Sequence, residues 1–598
     1  MFYKKINWRK FNKKSFSKKG LEKKATKAEK ATIKHAHKFI ISRLENIRQS
    51  RRHIIGWLVL LTFLISITGF QLILFRQEYK TTAAADGGTY AEASLGPIET
   101  LNPLYASTSA EIASSKLLFS SLFNYDQTGT LNNDIAQTMT IDPTGKIYTI
   151  KLNNTAKWHD GTNLTAQDVE FTINLIKNPE TRSILRSNWQ NITAKAIDET
   201  TITFTTPEVY AAFSDALTFA ILPKHILNEI NPSSIRESNF SQAPIGSGPF
   251  MFKLLQNTDS TKDHTIVNMS AFEAYFKGSP KLNRFELHAY ENRDLIIKAL
   301  KTGEVNAAAD LSNSDIAQVS TASYERLLQP VNSGVYAIMN TKQPLLKEKS
   351  VRQALQIATD TKAIRDSIDP QLKSIDLPFV NGQLTGDGIA QLPATNIVRA
   401  NELLESSGWK LVNGIREKDN QKLSLSVVTI KDSDYEKAIN ILTQQWRNVG
   451  VEIVSQVIDI NNPSIDFVKD IIQPRQYDVL IYQLVIGADP DVYAYWHSSQ
   501  ANKNGYNLSN YTNTLADTSL ASARNRLESD LRNAKYKTFA RQWVEDAPAI
   551  GLYQFGVNYV YNKDIETTDP KSVLISATDR YSNLLYWSVN RQSVYKTP

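Results

Sequence analysis

Residues 148–169 read YTIKLNNTAKWHDGTNLTAQDV, which predicts a strand, a turn and the beginning of a helix. Tyr148, Ile150 and Leu152 alternate with polar residues, as in a strand that buries one face. Thr165 and Asp168 have the spacing of a capping box, and apolar residues then recur at helical spacing from Val169. A strand followed closely by a helix is typical of an α/β protein.

A second segment, residues 423–457, repeats this alternation of strand and helix. Alternating apolar residues predict a strand at its beginning, and a helical stripe extends from Tyr435 to Val449. Gly450 is placed to end that helix, and residues 451–457 resemble a second strand. The run 477–486 is apolar almost throughout, as expected of a strand that is buried on both faces. We therefore expect an α/β fold with mixed sheets.

The 22 residues 54–75, IIGWLVLLTFLISITGFQLILF, contain no charged side chain. At ~1.5 Å per residue a helix of this length spans a ~30 Å hydrocarbon core. Residues 1–52 have 18 basic and 3 acidic side chains, which places the N-terminus in the cytoplasm. We expect a cytoplasmic tail (1–52), an uncleaved signal anchor (53–76) that contacts the lipid bilayer through 54–75, and a linker (77–87). The alternative is a signal peptide cleaved at Ala83-Ala84-Ala85.

The overall charge of +8 comes from this tail, because residues 53–598 have a net charge of −7. A mildly acidic domain gives little support to nucleic-acid binding. The chain has no cysteine, which excludes disulfides, thiol nucleophiles, iron–sulfur clusters and a lipid anchor on cysteine. Any attachment to a membrane must then be made by the polypeptide itself.

No linear signature of catalysis is present. The eight histidines show no HExxH or comparable ligand spacing, and Gly246-Ser247-Gly248 is not a nucleophile elbow. Asp489 and Asp491 flank Pro490, which favours a turn over an acid/base pair. We therefore expect no enzyme activity, no catalytic residue, no metal site and no cofactor.

Several segments, in order, resemble the family 5 extracellular solute-binding proteins of ABC importers, a family that includes receptors for oligopeptides, dipeptides and nickel. Besides 148–169, the similar segments are GGTY (87–90), LNPL (101–104), PIGSGPF (244–250), ALKTGEVNA (299–307), residues 340–364 with VRQALQIATD, DPD (489–491), NY (510–511) and APAIGLY (547–553). The resemblance covers about residues 86–598. The residues WHDG (158–161) are diagnostic of the family, but we expect them to shape a turn away from the ligand.

The resemblance implies a two-lobed periplasmic-binding-protein-like fold with a hinge, preceded by one transmembrane helix. Residues 88–335, completed by 553–598, are expected to form the first lobe, and residues 336–552 the second. The ligand would be enclosed between the lobes, and the closed form would present a surface to a membrane permease. No chemistry would be performed on the ligand.

In the peptide receptors of this family, an aspartate three residues before the acidic-Pro step holds the α-ammonium of the peptide. Ile486 occupies that position here, and Gln483 replaces a tryptophan. Three explanations stay open. Asp489 or Asp491 takes over the role, a short peptide is held by its backbone and by pockets alone, or the ligand lacks a free amine, as a glycan or a blocked peptide does.

The resemblance also suggests which residues line the cleft. Six of them lie in or just after a central strand of the second lobe: Tyr482, Gln483, Ile486, Asp489, Tyr493 and Trp496. Asn340 is expected at a crossover between the lobes, and Tyr105 follows the LNPL segment. A surface-binding protein that has lost transport is an alternative function, and a hydrolase is a less favoured one.

Overall fold

The computed structural model describes residues 18–41, 51–258, 263–460, 462 and 464–595. The chain divides into two compact units, residues 1–83 with 592–598, and residues 84–591. They are described separately.

The smaller unit contains helices α1 (Lys18–Ala36) and α2 (Arg51–Tyr79), with a π-helical turn at His37–Ile41. Within α2, Arg51–Leu74 has a mean hydropathy of 2.2 and is long and apolar enough to cross a membrane. A signal sequence near an N-terminus meets the same criteria. Within the predicted linker 77–87, α2 continues to Tyr79 and a strand follows at Lys80–Ala85.

The described residues contain strands β1 (Lys80–Ala85), β2 (Thr89–Leu95), β3 (Phe123–Tyr125), β4 (Leu131–Asn133), β5 (Ala136–Ile141), β6 (Ile147–Leu152), β7 (Thr193–Ala196), β8 (Thr201–Thr205), β9 (Phe250–Asn257), β10 (His264–Ala271), β11 (Arg284–Tyr290), β12 (Ala307–Leu311), β13 (Tyr324–Met339), β14 (Lys410–Val412), β15 (Ile415–Lys418), β16 (Gln421–Lys422), β17 (Ser424–Ile430), β18 (Glu452–Ile458), β19 (Val479–Val485), β20 (Ala549–Asn562) and β21 (Asn590–Tyr595).

The larger unit also contains the helices α3 (Ser109–Leu118), α4 (Ala166–Lys177), α5 (Arg293–Thr302), α6 (Lys349–Ala358), α7 (Thr361–Ile368), α8 (Ile397–Ser406), α9 (Ser433–Arg447), α10 (Thr514–Arg524) and α11 (Ser529–Asp546). Shorter helical turns lie at Pro179–Thr181, Arg186–Trp189, Phe213–Ala216, Lys224–Leu227, Pro232–Ser234, Asn239–Ser241, Asn313–Ile316, Phe467–Ile472, Tyr493–Trp496, Ser498–Gln500 and Ala577–Tyr586.

The strand and helix expected in residues 148–169 are confirmed as β6 and α4. Tyr148, Ile150 and Leu152 are buried on one face of β6. The carboxylate of Asp168 accepts hydrogen bonds from the backbone N–H (2.8 Å) and the hydroxyl (3.0 Å) of Thr165, just before the first residue of α4. Both bonds run from Thr165 to Asp168, and the N–H of Asp168 donates to the Thr165 carbonyl at 3.1 Å rather than to its hydroxyl. The carboxylate thus satisfies the N–H that precedes the helix.

The β-α-β unit expected in residues 423–457 is confirmed as β17, α9 and β18. The two strands are parallel, with Ser424 opposite Glu452 and Ile430 opposite Ile458. Gly450 has a φ of +81°, which an L side chain rarely adopts, and it redirects the chain from α9 into β18.

The main sheet of the larger unit is mixed and has ten strands, in the order β18-β17-β19-β13-β20-β12-β2-β11-β10-β9. The long strands β13 and β20 pair antiparallel at its centre. A four-stranded sheet, β5-β6-β8-β7, and smaller sheets of two and three strands complete the β-structure of the described residues.

The buried apolar residues divide this unit into two lobes. One large cluster includes residues from 90 to 309 and from 559 to 587, and we call the part built around it the first lobe. Two further clusters include residues between 335 and 553, and they define the second lobe. The limits at residues 335/336 and 552/553 remain a prediction, since core membership does not fix where a boundary falls.

Candidate ligand-binding cleft

The parallel strands β17 and β19 end at the same edge of the second lobe. Their pairing stops at Val428 and Leu480, whereas β19 continues to Val485 beside β13. Beyond Leu480 no described strand pairs with β19 on the β17 side, where the Thr429 hydroxyl still donates to the Ile481 carbonyl at 3.2 Å. Ligands of open α/β sheets bind outside the carboxyl ends of such strands.

Aromatic side chains surround this part of β19. The ring of Tyr482 lies 6.1 Å from that of Phe467, and the Tyr495 hydroxyl donates to the Val485 carbonyl at 2.6 Å. Gln483 donates from Nε2 to the Ser333 hydroxyl at 2.7 Å. Tyr482 and Gln483, both predicted cleft residues, thus lie half-buried on the strand with the open side.

Ile486 follows β19 and is anchored by its backbone. Its N–H donates to the carbonyl of Asn332 at 2.9 Å, and the Asn332 side chain donates to the carbonyl of Gly487 at 2.9 Å. Only 7% of Ile486 is exposed, and it belongs to an apolar cluster of the second lobe. This position therefore offers no charge to an ammonium group.

The two aspartates after Ile486 are already paired with arginines. One terminal nitrogen of Arg532 donates to both carboxylate oxygens of Asp489, at 2.6 and 2.7 Å. Arg524 Nε lies 3.2 Å from Asp491 Oδ2. Burial raises the pKa of Asp491 and the charge of Arg524 opposes that rise. Such buried carboxylates need their cations, because an unpaired buried charge is costly.

Arg524 also joins the second lobe to the first. Its guanidinium lies over the rings of Tyr210 (4.7 Å) and Tyr493 (4.8 Å), and its carbonyl accepts from the Ala211 N–H at 3.1 Å. Burial, reinforced by the charge of Asp491, raises the pKa of Tyr210 to about 12. This cation therefore lies between an aromatic ring of each lobe.

Asp215 adds a third carboxylate on the side of the first lobe. The Tyr125 hydroxyl donates to it at 2.6 Å. Burial raises the pKa of Asp215; the charge of Asp489 adds to that rise, and the charge of Arg532 opposes it. We call the group formed by Asp215, Asp489, Asp491, Arg524 and Arg532 the acidic rim.

A second contact between the lobes lies beyond the end of β17. Arg293 of the first lobe is 3.3 Å from Asp432, and Asn313 donates to Asp434 at 2.8 Å. Burial, followed by the charge of Asp432, raises the pKa of Asp434. In the part of the chain that the structure describes, Asp434 Oδ1 and the buried Tyr553 hydroxyl have no hydrogen-bond partner. This second contact between the lobes thus retains two polar atoms to which a ligand or a water molecule can hydrogen-bond.

The other predicted site residues lie elsewhere. Asn340 is buried at the opposite end of the β13–β19 ladder from Ile486, where its side chain donates to the Tyr477 carbonyl at 3.2 Å. Trp496 is part of the second-lobe core. Tyr105 is buried in the first-lobe core beneath Arg236, and burial raises its pKa to about 12.

Several residues of the cleft were not predicted from the sequence: Tyr125, Tyr210, Asp215, Arg293, Asp432, Asp434, Arg524 and Arg532. One signal was available for the two arginines of the acidic rim. Two aspartates next to a buried strand require cations, and both arginines belong to the helical region that follows. Nothing in the local sequence distinguishes them from other basic residues there.

One Ser–His–Asp grouping occurs near the acidic rim. His497 Nδ1 is 2.9 Å from the Ser499 hydroxyl, but it also accepts from the Ser499 backbone N–H at 3.1 Å. Its Nε2 is 4.0 Å from Asp517, whose carboxylate oxygens accept from Ser498. His497 Nδ1 accepts a hydrogen bond at the beginning of the helical turn Ser498–Gln500. The grouping therefore lacks the hydrogen bonds of a catalytic triad.

Comparison with known proteins places this geometry in context. Residues 130–506 match the family model described as bacterial extracellular solute-binding proteins, family 5 middle. The oligopeptide-binding protein AppA of Bacillus subtilis is 27% identical over 532 residues, which cover 83% of this chain and 91% of that protein.

Two solved structures extend the comparison. NikZ of Campylobacter jejuni, in complex with Ni(L-His), is 26% identical with a TM-score of 0.70 over 84% of this chain and 99% of that one. AppA of Bacillus subtilis, in complex with a nonapeptide, is 24% identical with a TM-score of 0.68 over 85% of this chain and 100% of that one.

Proposed function

The chain belongs to family 5 of the bacterial extracellular solute-binding proteins, and on this premise we propose that it is a membrane-tethered receptor that delivers oligopeptides to an ABC importer. Family membership and the two-lobed α/β fold agree with the resemblance seen in the sequence. Its relatives are solute-binding proteins rather than enzymes.

The observation that supports a peptide ligand is the open side of β19. An extended peptide binds by adding its backbone to an unpaired strand, and side-chain pockets then provide specificity. Residues 482–485 have no paired strand on one side, although the Val485 carbonyl already accepts from the Tyr495 hydroxyl, and Tyr482 lies on this edge. The relative AppA was solved with a nonapeptide, which is consistent with this mode.

The acidic rim argues against one of the three explanations for Ile486, the capture of the ammonium by Asp489 or Asp491. Asp489 and Asp491 are both occupied by arginines, so neither is available to a peptide ammonium without breaking an ion pair. We therefore favour a peptide held by its backbone and by pockets, with its N-terminus not captured by these carboxylates.

Closure of the two lobes is the proposed signal to the permease. The contacts of Arg524 with Tyr210 and of Arg293 with Asp432 are made between the lobes, so they are available only when the lobes approach each other. A ligand that contacts both lobes stabilises this arrangement by its differential affinity. Helix α2 would hold the receptor at the membrane, close to the permease.

The test is the thermal unfolding of the full chain, purified in detergent, with a peptide library. A peptide at a concentration of 100 Kd should stabilise the folded state by about 2.7 kcal/mol. N-acetylated and free peptides of the same sequence should stabilise it equally, because no carboxylate holds the N-terminus. Stabilisation by oligosaccharides or by nickel–histidine, and not by peptides, would show that the ligand is of another class.

A substitution ties the binding to β19. Tyr482→Ala should weaken peptide binding by tenfold or more, since aromatic side chains dominate the free energy of such interfaces. Tyr586→Ala, at an exposed tyrosine of the first lobe, is the matched control and should leave the Kd unchanged. Equal peptide affinity in the wild type and in Tyr482→Ala would exclude this edge as the binding site.

A further inference from the structure

Two histidines that are far apart in the sequence meet on neighbouring strands of the first lobe. His264 begins β10, and His288 lies in β11, two residues along the ladder from the partner of His264. Their rings are stacked with centroids 5.0 Å apart, and His264 Nε2 lies 3.0 Å from His288 Nδ1. Tyr290 stacks on the ring of His264 at 4.2 Å and fixes its plane.

A carboxylate reaches the same point from a third element. Helix α5 ends at Gly303, whose φ of +71° turns the chain, and the N–H of Glu304 donates to the carbonyl of Ala299 at 3.0 Å. Glu304 Oε1 consequently lies 3.7 Å from His264 Nδ1 and 3.9 Å from His288 Nδ1. Ligand atoms of the three residues are all within 4.8 Å of one another.

We propose that His264, His288 and Glu304 form a site for a divalent transition metal, with Zn²⁺ as the best-fitting ion and water as the fourth ligand. Bond lengths of ~2.0–2.2 Å in a tetrahedral site place neighbouring ligand atoms about 3.3 Å apart. The separations of 3.0 Å between the two imidazole nitrogens and 3.9 Å between Glu304 Oε1 and His288 Nδ1 bracket that value, so small side-chain movements complete the site. Imidazole together with carboxylate suits zinc, nickel and copper better than calcium or magnesium.

The surroundings of His288 agree with this assignment. His288 is buried between the neighbouring strands, with only 5% of its side chain exposed. Its buried Nε2 has no hydrogen bond within the described residues and lies 3.7 Å from a carboxylate oxygen of Glu286. Metal-binding histidines commonly direct their second nitrogen to such a carboxylate.

The alternative is a hydrogen bond between the two imidazoles, with no metal involved. Both arrangements bring the nitrogens close together, but only a metal site also requires the carboxylate of Glu304 for binding. The proposal does not depend on the ligand of the cleft, so its failure would leave the peptide hypothesis untouched.

The experiment is a titration of the full chain, in detergent and freed of metal by a chelator, with ZnCl₂ in a calorimeter and with CoCl₂ in a spectrometer. We expect one equivalent to bind, with visible cobalt bands typical of four-coordinate geometry. His288→Ala should abolish stoichiometric binding, and Glu304→Gln should weaken it by at least tenfold. Glu304 is 45% exposed, so this second variant tests the site without disturbing the core.

His225→Ala is the matched control, because His225 pairs with Asp160 at 2.7 Å elsewhere on the first lobe. It should bind zinc as the wild type does. The proposal is overturned if the wild type binds no equivalent of metal, or if His288→Ala and Glu304→Gln bind as tightly as the wild type. Loss of binding in His225→Ala would also overturn it, since the metal would then lie at another site.

Discussion

Glu92 is a fully buried carboxylate, and each of its two oxygens accepts a hydrogen bond from another buried side chain. It lies in β2 with no exposed surface, and Arg580 donates to it at 2.6 Å while the Tyr559 hydroxyl donates at 2.7 Å. Glu92→Gln keeps the shape of the side chain but leaves the guanidinium of Arg580 buried without its counter-ion. We expect the first lobe to lose about 3–5 kcal/mol of its free energy of unfolding.

Denaturant unfolding of the full chain, followed by tryptophan fluorescence, measures this loss. The double variant Glu92→Met with Arg580→Met removes both charges together and is the control. It should cost much less than Glu92→Gln, because replacement of a whole buried ion pair by apolar groups is often neutral. A double variant that is less stable than the single one would contradict this account.

Individual residues also show what the sequence reveals about the cleft. The motif and the strand pattern in the sequence predict that Ile486 follows an apolar strand. They also predict its neighbours Tyr482, Gln483 and Asp489. Arg524 and Arg532 do not, since an ion pair between distant segments leaves no periodicity in either of them. The sequence likewise separates His264 from His288 by 23 residues, and only the pairing of β10 with β11 brings the imidazoles together.

The C-terminal end of helix α10 is the element that links the two lobes through Arg524. Arg524→Met would remove the ion pair with Asp491 and the contact with the ring of Tyr210, leaving a buried carboxylate without its cation. We expect a smaller closed population and an affinity for the ligand lower by tenfold or more, since truncating one member of a buried charge pair costs ~2–5 kcal/mol. Small-angle scattering with and without peptide measures the closure.

Asp491→Asn together with Arg524→Met provides the control for this element. Removing the orphaned charge should restore part of the affinity, and adding the single variant Asp491→Asn completes a double-mutant cycle that gives the coupling energy of the pair. If Arg524→Met binds peptide as tightly as the wild type and closes to the same radius of gyration, this helix end does not stabilise the closed state.

Elements were predicted well where a local period or motif specifies them, as in β6, α4 and the unit β17-α9-β18. Partners of strands were not predictable, because alternation reveals which face is buried and not which strand is adjacent. The central pair β13 and β20 is separated by more than 200 residues of sequence. The requirement for glycine in the motif 244–250 also comes from a segment that is distant in the sequence. A Cβ on Gly246 would lie 1.9 Å from the carbonyl oxygen of Leu118.

At the scale of the whole molecule, the question is whether helix α2 stays attached to the large unit. Arg51–Leu74 contains 24 residues, which at ~1.5 Å per residue give ~36 Å, enough to cross a ~30 Å hydrocarbon core. We expect the full-length chain to remain in the membrane fraction after an alkaline wash. Protease added from outside should remove the large unit and leave the basic tail protected.

Leu64→Arg places a charge near the centre of this segment, at a cost of about 2.5–3.5 kcal/mol for insertion, and should shift much of the chain out of the membrane fraction. Ile112→Arg introduces the same charge at an apolar residue that is 44% exposed in α3 and should leave the distribution unchanged. A soluble product that begins near Ala85 and lacks the basic tail would instead identify residues 54–75 as part of a cleaved signal peptide. The receptor would then reach its permease by diffusion, and the tail would have no role in the mature protein.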